Sequence, residues 1–472
     1  MKIARQALAS GLVLLAAAAA ASFASLAGNL TVRRNPLIET IVAEISPAPI
    51  QQTVEALVGF HTRHSASAQD DPARGAGAAA RWIRARFDQY AAASNGRLKV
   101  ELDEFDQATV RANNSVIHYI NVVATLPGRQ PDRMLVVGGH YDSWASGAAD
   151  PSSFLPGAND DASGTAAVLE LARVLSQYEF DATLVFIAFA GEEMGLIGSR
   201  HWAELARAKS WNVEAMITND IIGNIEGGNG VVDNGSVRVF SEGIAATETE
   251  AQVAARRASG SEVDSSSRQW ARYIQEKGET YVPNMKVRMI YRRDRFGRGG
   301  DHIPFHEAGS AAVRFTEATE NYTRQHQRVR VENGVQYGDL PEKVSYPYVA
   351  QVTRINAAAL ASLALAPAPL RNVTISGAVA YDTTLRWSEP VADKSVAGYN
   401  VLVRDTDSPV WQQKRYYPKE SLTVAAGRTS VVLKNVVIDN YFFAVQAVDA
   451  EGNESLPLFP QPAARGRAPV PR

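Results

Sequence analysis

Thr183-Leu184-Val185-Phe186-Ile187-Ala188-Phe189-Ala190-Gly191-Glu192-Glu193 is the stretch on which the fold turns. Residues 183–190 run on without polar alternation, as a strand does when both of its faces are covered in a parallel sheet. The run then meets a glycine and two adjacent carboxylates. Burying two carboxylates at a strand end costs several kcal/mol unless cations neutralise them. The stretch therefore reads as a central strand with a cation-binding edge.

Four further segments end in a metal-binding type of side chain, and each is read as following a strand. They are Val136-Val137-Gly138-Gly139-His140-Tyr141-Asp142, Pro156-Gly157-Ala158-Asn159-Asp160-Asp161, Ile217-Thr218-Asn219-Asp220, and the stretch from Asn321 to His326 after the apolar residues 313–316. Open parallel sheets place binding groups outside the carboxyl ends of their strands. Four carboxylates and two imidazoles delivered to that edge suffice for a pair of divalent metals.

Around these segments strands and helices alternate. Residues 117–126, 134–137, 214–218 and 311–315 read as strands, and 98–105 as a more exposed one. Helical spacing of apolar residues marks 51–60, 81–93, 162–178, 196–207 and 346–365. The pattern predicts an α/β domain of three αβα layers with a mostly parallel central sheet. Residues 223–300 are a less regular insertion, rich in glycine, serine and acidic residues near 223–235 and 259–267. Such material beside strand ends is expected to form walls or lids.

A chain of 472 residues exceeds one ordinary core, which predicts two domains. Apolar content of 46% and charged content of 21% describe a globular protein, and a net charge of −2 favours neither nucleic acid nor anionic membrane as partner. Lys2 and Arg5 precede an alanine- and leucine-rich run, with small residues near Ser25 and Ala27. Residues 1–27 are thus expected to be a cleaved signal peptide, too short in its apolar part for a membrane span. That predicts a periplasmic or secreted protein. The absence of cysteine removes disulfides, thiol catalysis and thiolate zinc sites.

The domain assigned to residues 28–365 gives way at Ala-Pro-Ala-Pro-Leu, residues 366–370, to short alternating strands at 384–387, 397–404, 430–433 and 441–449. Residues 366–460 predict an all-β sandwich with Trp387 in its core and Tyr441 as a corner tyrosine, and 461–472 a disordered tail. The segment resembles a fibronectin type III domain. It is expected to tether the protein to a surface polymer or to support the larger domain. Trp411, Tyr416 and Tyr417 are read as sandwich packing rather than a ligand patch.

Within the larger domain, His140 and Asp142 lie on one side of an extended chain, so Asp142 can hold the second imidazole nitrogen. Asp161 suits a helix N-cap, while the glycine turn before it presents Asp160. Of Glu192 and Glu193, one can ligate a metal while its neighbour serves as general base.

Gly-Gly-His-Tyr-Asp-Ser, Pro-Gly-Ala-Asn-Asp-Asp-Ala-Ser-Gly, Ala-Gly-Glu-Glu-Met-Gly-Leu-Ile-Gly-Ser and Gly-Asp-His-Ile-Pro-Phe occur in order between about residues 117 and 365. With these motifs the chain resembles the M28 family of zinc aminopeptidases. The resemblance implies two zinc ions per chain, with His140 and Asp220 on one, Glu193 and a late histidine on the other, and Asp160 bridging them. It implies Glu192 as the base, with Asp142 beside it in the catalytic set. The late histidine is His326 in preference to His302, although the family's histidine-threonine continuation and later aspartate are absent here. His61, His64 and His306 are read as packing or surface residues.

The implied activity is removal of N-terminal residues from peptide substrates. Arg292, Arg293, Arg295 and Arg298 leave a carboxypeptidase open, although a solvated cationic loop is the preferred reading of them. Glutaminyl cyclases resemble the same motifs and use one zinc. The non-enzymatic alternative is an adhesion protein in which the sandwich does the binding.

Overall fold

The computed structural model describes residues 34–146, 151–389 and 396–463. The expected signal peptide and residues 464–472 of the expected tail lie outside them. Two compact units are present: Arg34–Ala368 with Glu451–Leu456, and Pro369–Ala450 with the chain from Pro457.

The larger unit is built on an eight-stranded sheet. Its strands are β1 (Lys99–Ala108), β2 (Val116–Leu126), β3 (Gln130–His140), β4 (Ala182–Phe189), β5 (Asn212–Asn219), β6 (Ser236–Ser241), β7 (Lys286–Ile290) and β8 (Ala311–Glu317), in the order β1-β2-β4-β3-β5-β8-β6-β7. The central run β4-β3-β5-β8 is parallel throughout, so its strands all end at one edge. β2 and β6 join it antiparallel, and β1 pairs antiparallel with β2, which makes the sheet mixed.

Helices α1 (Pro36–Glu44), α2 (Pro47–Gly59), α3 (Gly75–Ala93), α4 (Ala162–Leu175), α5 (Ile197–Ala208), α6 (Glu250–Ser259), α7 (Ser266–Tyr281), α8 (His302–Glu307) and α9 (Tyr346–Ala364) complete the unit. Strand parity explains the three layers, because successive side chains of a strand leave opposite faces. Leu184, Phe186 and Ala188 of β4 enter the large core with residues of α1–α4, α7 and α9. Val185, Ile187 and Phe189 enter a smaller one with Trp202 of α5 and Phe305 of α8. Covered on both sides, β4 is buried along its whole length.

The stretch expected to be an irregular insertion is largely ordered into the sheet. It supplies β6 and β7, and α7 buries Trp270, Ala271, Tyr273 and Ile274 in the large core. Its helical period is masked because the same face carries Arg268, Arg272 and Lys277, all buried. Lys277 pairs with Glu454 at 2.5 Å, and Tyr273 donates to the Glu454 carbonyl at 2.9 Å. Beyond β8, the strands β9 (Arg330–Glu332) and β10 (Val335–Tyr337) form an exposed hairpin on an Asn333-Gly334 turn, both residues at positive φ. Among the described residues no helix is long and apolar enough to cross a membrane.

The smaller unit has two sheets. One contains β11 (Arg371–Ser376), β12 (Thr383–Ser388), β15 (Thr423–Ala425), β16 (Arg428–Leu433) and β18 (Gln461–Pro462); the other contains β13 (Val396–Asp405), β14 (Gln413–Pro418) and β17 (Tyr441–Asp449). Trp387 is fully buried and edge-on to Tyr399, with ring centroids 4.9 Å apart. Trp411 packs on Leu402 and Ala444, whereas Tyr416 is exposed. Gln461 and Pro462, expected in a disordered tail, instead pair with β11, because a strand edge was open to them.

Replacing Lys277 by Met should leave Glu454 buried without its cation and destabilise the larger unit by about 3 kcal/mol. The K277M/E454L pair should recover most of that loss. Urea denaturation of both variants measures it, and a single variant as stable as the parent would contradict the assigned pairing.

Candidate metal centre

The loops leaving the parallel strands carry the charged groups. His140 is the last residue of β3, and its Nδ1 lies 3.3 Å from Asp142 Oδ1. Asp142 does more than orient that ring. Its carboxylate also accepts the backbone N–H of Glu192 (3.1 Å), that of Glu193 (3.2 Å) and the Ser65 hydroxyl (3.0 Å). The end of β3 is thereby tied to the end of β4.

Asp161, expected only to cap α4, caps it and ties three elements together. Its Oδ1 accepts from Gly164 N (2.9 Å) and Ile221 N (3.2 Å), and its Oδ2 from His140 N (3.1 Å). This arrangement needs close backbone approach. A Cβ on Gly139 would meet the Gly164 carbonyl carbon at 2.7 Å, and one on Gly164 would meet the Asn219 oxygen at 2.2 Å. Ile221 follows Asp220 at φ +60, a costly conformation for a β-branched residue. The Asp161 contact helps to hold it there.

These constraints make the side chains converge. His140, Asp160 and Asp220 form one trio of potential ligands, and Asp160, Glu193 and His326 a second, with ligand atoms in each trio within 4.8 Å of one another. Asp160 is common to both and presents one oxygen to each side: Oδ1 lies 3.2 Å from His140 Nε2, and Oδ2 lies 3.0 Å from His326 Nε2. His326 Nε2 is also 2.8 Å from Glu193 Oε1. His140 Nε2 is buried and faces the Asp160 carboxylate, an orientation that suits a ligand lone pair beside a shared carboxylate. The donor set of imidazoles and carboxylates fits zinc.

The electrostatics point the same way. Burial, then the Glu193, Asp220 and Asp301 carboxylates, raise the Glu192 carboxyl well above its ordinary range, although His140 opposes them. Burial likewise pushes Asp301 up to about 7. Burial works against a charged His326, yet Glu193 and Asp160 push it up to about 11. So many buried carboxylates at one strand edge are best relieved by cations.

His140, Asp160, Glu193, Asp220 and His326 are thus brought together, with Glu192 and Asp142 beside them. His302 is not. Its Nε2 sits 2.7 Å from the Arg293 carbonyl, and burial lowers its pKa to about 4. His306 faces Glu242 at 3.1 Å, and His61 packs against Phe154 with centroids 5.2 Å apart. His64 lines the cleft beside Glu193 and His326, so packing alone does not describe it. One expectation fails locally: the Asp160 segment follows no strand but is the turn leading into α4. The arginine loop is only partly solvated, because Arg295 is 8% exposed and faces Asp294 and Glu320.

Three supporting residues had no local sequence signal. Arg63 is fully buried and donates to the carbonyls of Tyr141 (2.6 Å), Leu57 (3.1 Å), Pro156 (2.7 Å) and Gly157 (2.8 Å). It pins the two segments that bear His140 and Asp160. Arg314 of β8 pairs with Asp220 at 2.7 Å and with Asp294 at 3.3 Å. Asp339, beyond the β9–β10 hairpin, accepts the backbone N–H groups of Asn159 (2.9 Å) and Asp160 (2.7 Å). An aspartate does therefore follow His326, displaced past a hairpin.

The chain is similar to known proteins in sequence and in fold. The sequence model of peptidase family M28 matches residues 121–334. A probable zinc metalloprotease of Pyricularia oryzae is 41% identical over 432 residues, covering 90% of this chain and 84% of that protein. One of Leptosphaeria maculans is 40% identical, covering 90% and 97%. In fold the chain is similar to LapB from Legionella pneumophila, with TM-score 0.52 and 20% identity over 71% of this chain and 76% of that one. It is similar also to the LapA aminopeptidase of the same organism, with TM-score 0.51 and 19% identity over 72% and 77%. On the extent of these sequence matches and the convergence of the ligand groups, the chain belongs to peptidase family M28 and is a metallopeptidase.

Proposed function

We propose that the protein is a two-zinc exopeptidase that releases N-terminal residues from peptides. The observation that carries this reading is the shared position of Asp160 between two ligand trios, which suits two cations bridged by one carboxylate. Zinc held there by His140, Asp160 and Asp220, and by Asp160, Glu193 and His326, supplies a Lewis acid that polarises a carbonyl and brings the pKa of water toward neutrality.

The remaining work falls to this chain's own groups. Glu192, as a carboxylate beside the two trios, accepts a proton from the attacking water and returns it to the leaving amine. Asp142 positions Glu192 through the backbone N–H of that residue and orients His140. Arg63, Asp161 and Asp339 fix the backbone from which the ligands project, which keeps the geometry close to productive before substrate arrives. The acidic edge suits the cationic free α-amino group of a substrate, and this supports an aminopeptidase over a carboxypeptidase.

The reading extends to export through the N-terminal segment and to a fibronectin type III-like role for the sandwich in tethering the enzyme to a surface polymer. The two-sheet packing around Trp387 supports that resemblance.

Glu192→Gln should keep its zinc and lose at least about a hundredfold in kcat. A zinc-loaded, active variant would remove Glu192 from the role of base. Elemental analysis after dialysis should find two zinc ions per chain, fewer in Asp220→Asn and His326→Ala, and two still in His302→Ala. A parent value near one would favour cyclase-like chemistry. Peptides with a blocked amino terminus should resist hydrolysis while carboxyl-blocked ones are cleaved, and the opposite result would reverse the direction of attack.

A further inference from the structure

A cleft of about 740 Å³ opens beside Glu193 and His326. Trp144 stands edge-on to the His326 ring in its wall, with centroids 4.9 Å apart, and Met194 and Ile117 supply further apolar surface. Its charged lining is one-sided. Arg111 and Arg298 contribute two guanidinium groups, and among the described lining residues the only carboxylate is Glu193, which belongs to the metal centre.

Neither arginine is neutralised one to one. Arg111 lies on the short turn Val110–Ala112, which is fastened to the ligand segment itself. Thr109 Oγ1 donates to the Met194 carbonyl at 2.9 Å, and Arg111 Nη1 donates to the Glu193 carbonyl. The guanidinium is thereby anchored at the rim of the centre, and among the described residues it makes no ion pair. Arg298 shares its acid. Glu320 is held by Arg238 at 2.6 Å through one oxygen, while Arg295 and Arg298 both stand 3.5 Å from the other. Arg295 also has Asp294 at 3.3 Å, so Glu320 is held chiefly by Arg238, and Arg298 at the cleft has only a long share of it. Arginine's fork of N–H donors matches a carboxylate better than any neutral group.

We propose that Arg111 and Arg298 make the cleft selective for peptides bearing a carboxylate close to the scissile bond. The inference rests on the exopeptidase reading above and adds a substrate class to it. Two sources supply the same chemistry: an acidic side chain at the first or second residue, or the terminal carboxylate of a dipeptide.

The test measures kcat/KM of the zinc-loaded full chain on matched peptides. These are a neutral tetrapeptide amide, its counterparts with glutamate at the first or second position, and a neutral dipeptide with a free carboxyl end. One of the charged series should exceed the neutral amide roughly tenfold, and Arg111→Gln or Arg298→Gln should remove most of that ratio. A preference for the glutamate peptides identifies the side chain as the source, and one for the dipeptide identifies the terminus. Equal rates across the panel, or variants that lower every rate alike, would overturn the proposal while leaving the exopeptidase intact. Failure to cleave any peptide would instead remove the exopeptidase reading. Calorimetry with a glutamate-containing dipeptide of D-residues, which needs no turnover, then decides the cleft: binding lost in Arg111→Gln supports it, and no binding to the parent sinks it.

Discussion

The buried carboxylate of Asp161 holds backbone N–H groups from the end of β3, the start of α4 and the residue after Asp220. Burial, then the neighbouring Asp220 and Asp160, raise the Asp161 carboxyl well above its ordinary range, although His140 opposes them, so each of these bonds contributes at the neutral magnitude of roughly 0.5–1.5 kcal/mol. Their larger consequence is geometric. Three chain segments far apart in sequence are locked to one point, and the ligands His140, Asp160 and Asp220 sit at or next to the locked positions. Without that point, each would depend on a loop of its own.

The metal centre is therefore built on backbone rather than on side-chain packing. Asp142 joins the ends of β3 and β4 as Asp161 joins β3, α4 and β5, and Asp339 and Arg63 secure the remaining turn. The net effect is a dense group of carboxylates and fixed N–H dipoles, among which Arg63, Arg314 and two imidazoles are set. Such a group binds divalent cations and stabilises the fold when they are bound.

The parallel core and the side chains that converge at its edge were legible because both leave local marks. An unbroken apolar run followed by Gly-Glu-Glu is unusual enough to be read alone, and so is Gly-Gly-His-Tyr-Asp after a valine-rich strand. His326 was separable from His302 by its place after β8. What stayed hidden involves partners distant in sequence. Arg63 looks ordinary until Tyr141, Pro156 and Gly157 surround it, and Arg314 reads as a polar interruption in β8 until Asp220 and Asp294 meet it. β6, β7 and α7 escaped for a related reason: buried, paired charges such as Arg272 with Asp264 disguise an inward face as a solvated one.

The β9–β10 hairpin is a closed excursion. The Gly338 N–H returns to the Thr323 carbonyl at 3.1 Å, so the excursion that carries His326 and then the hairpin closes just before Asp339. Past His326, the strands β9 and β10 of this excursion project outward. Lengthening or replacing the Asn333-Gly334 tip costs little closure entropy and leaves both anchor points untouched. The hairpin is thus a natural graft position for an affinity handle or a reporter peptide, close to the reactive edge yet mechanically decoupled from it.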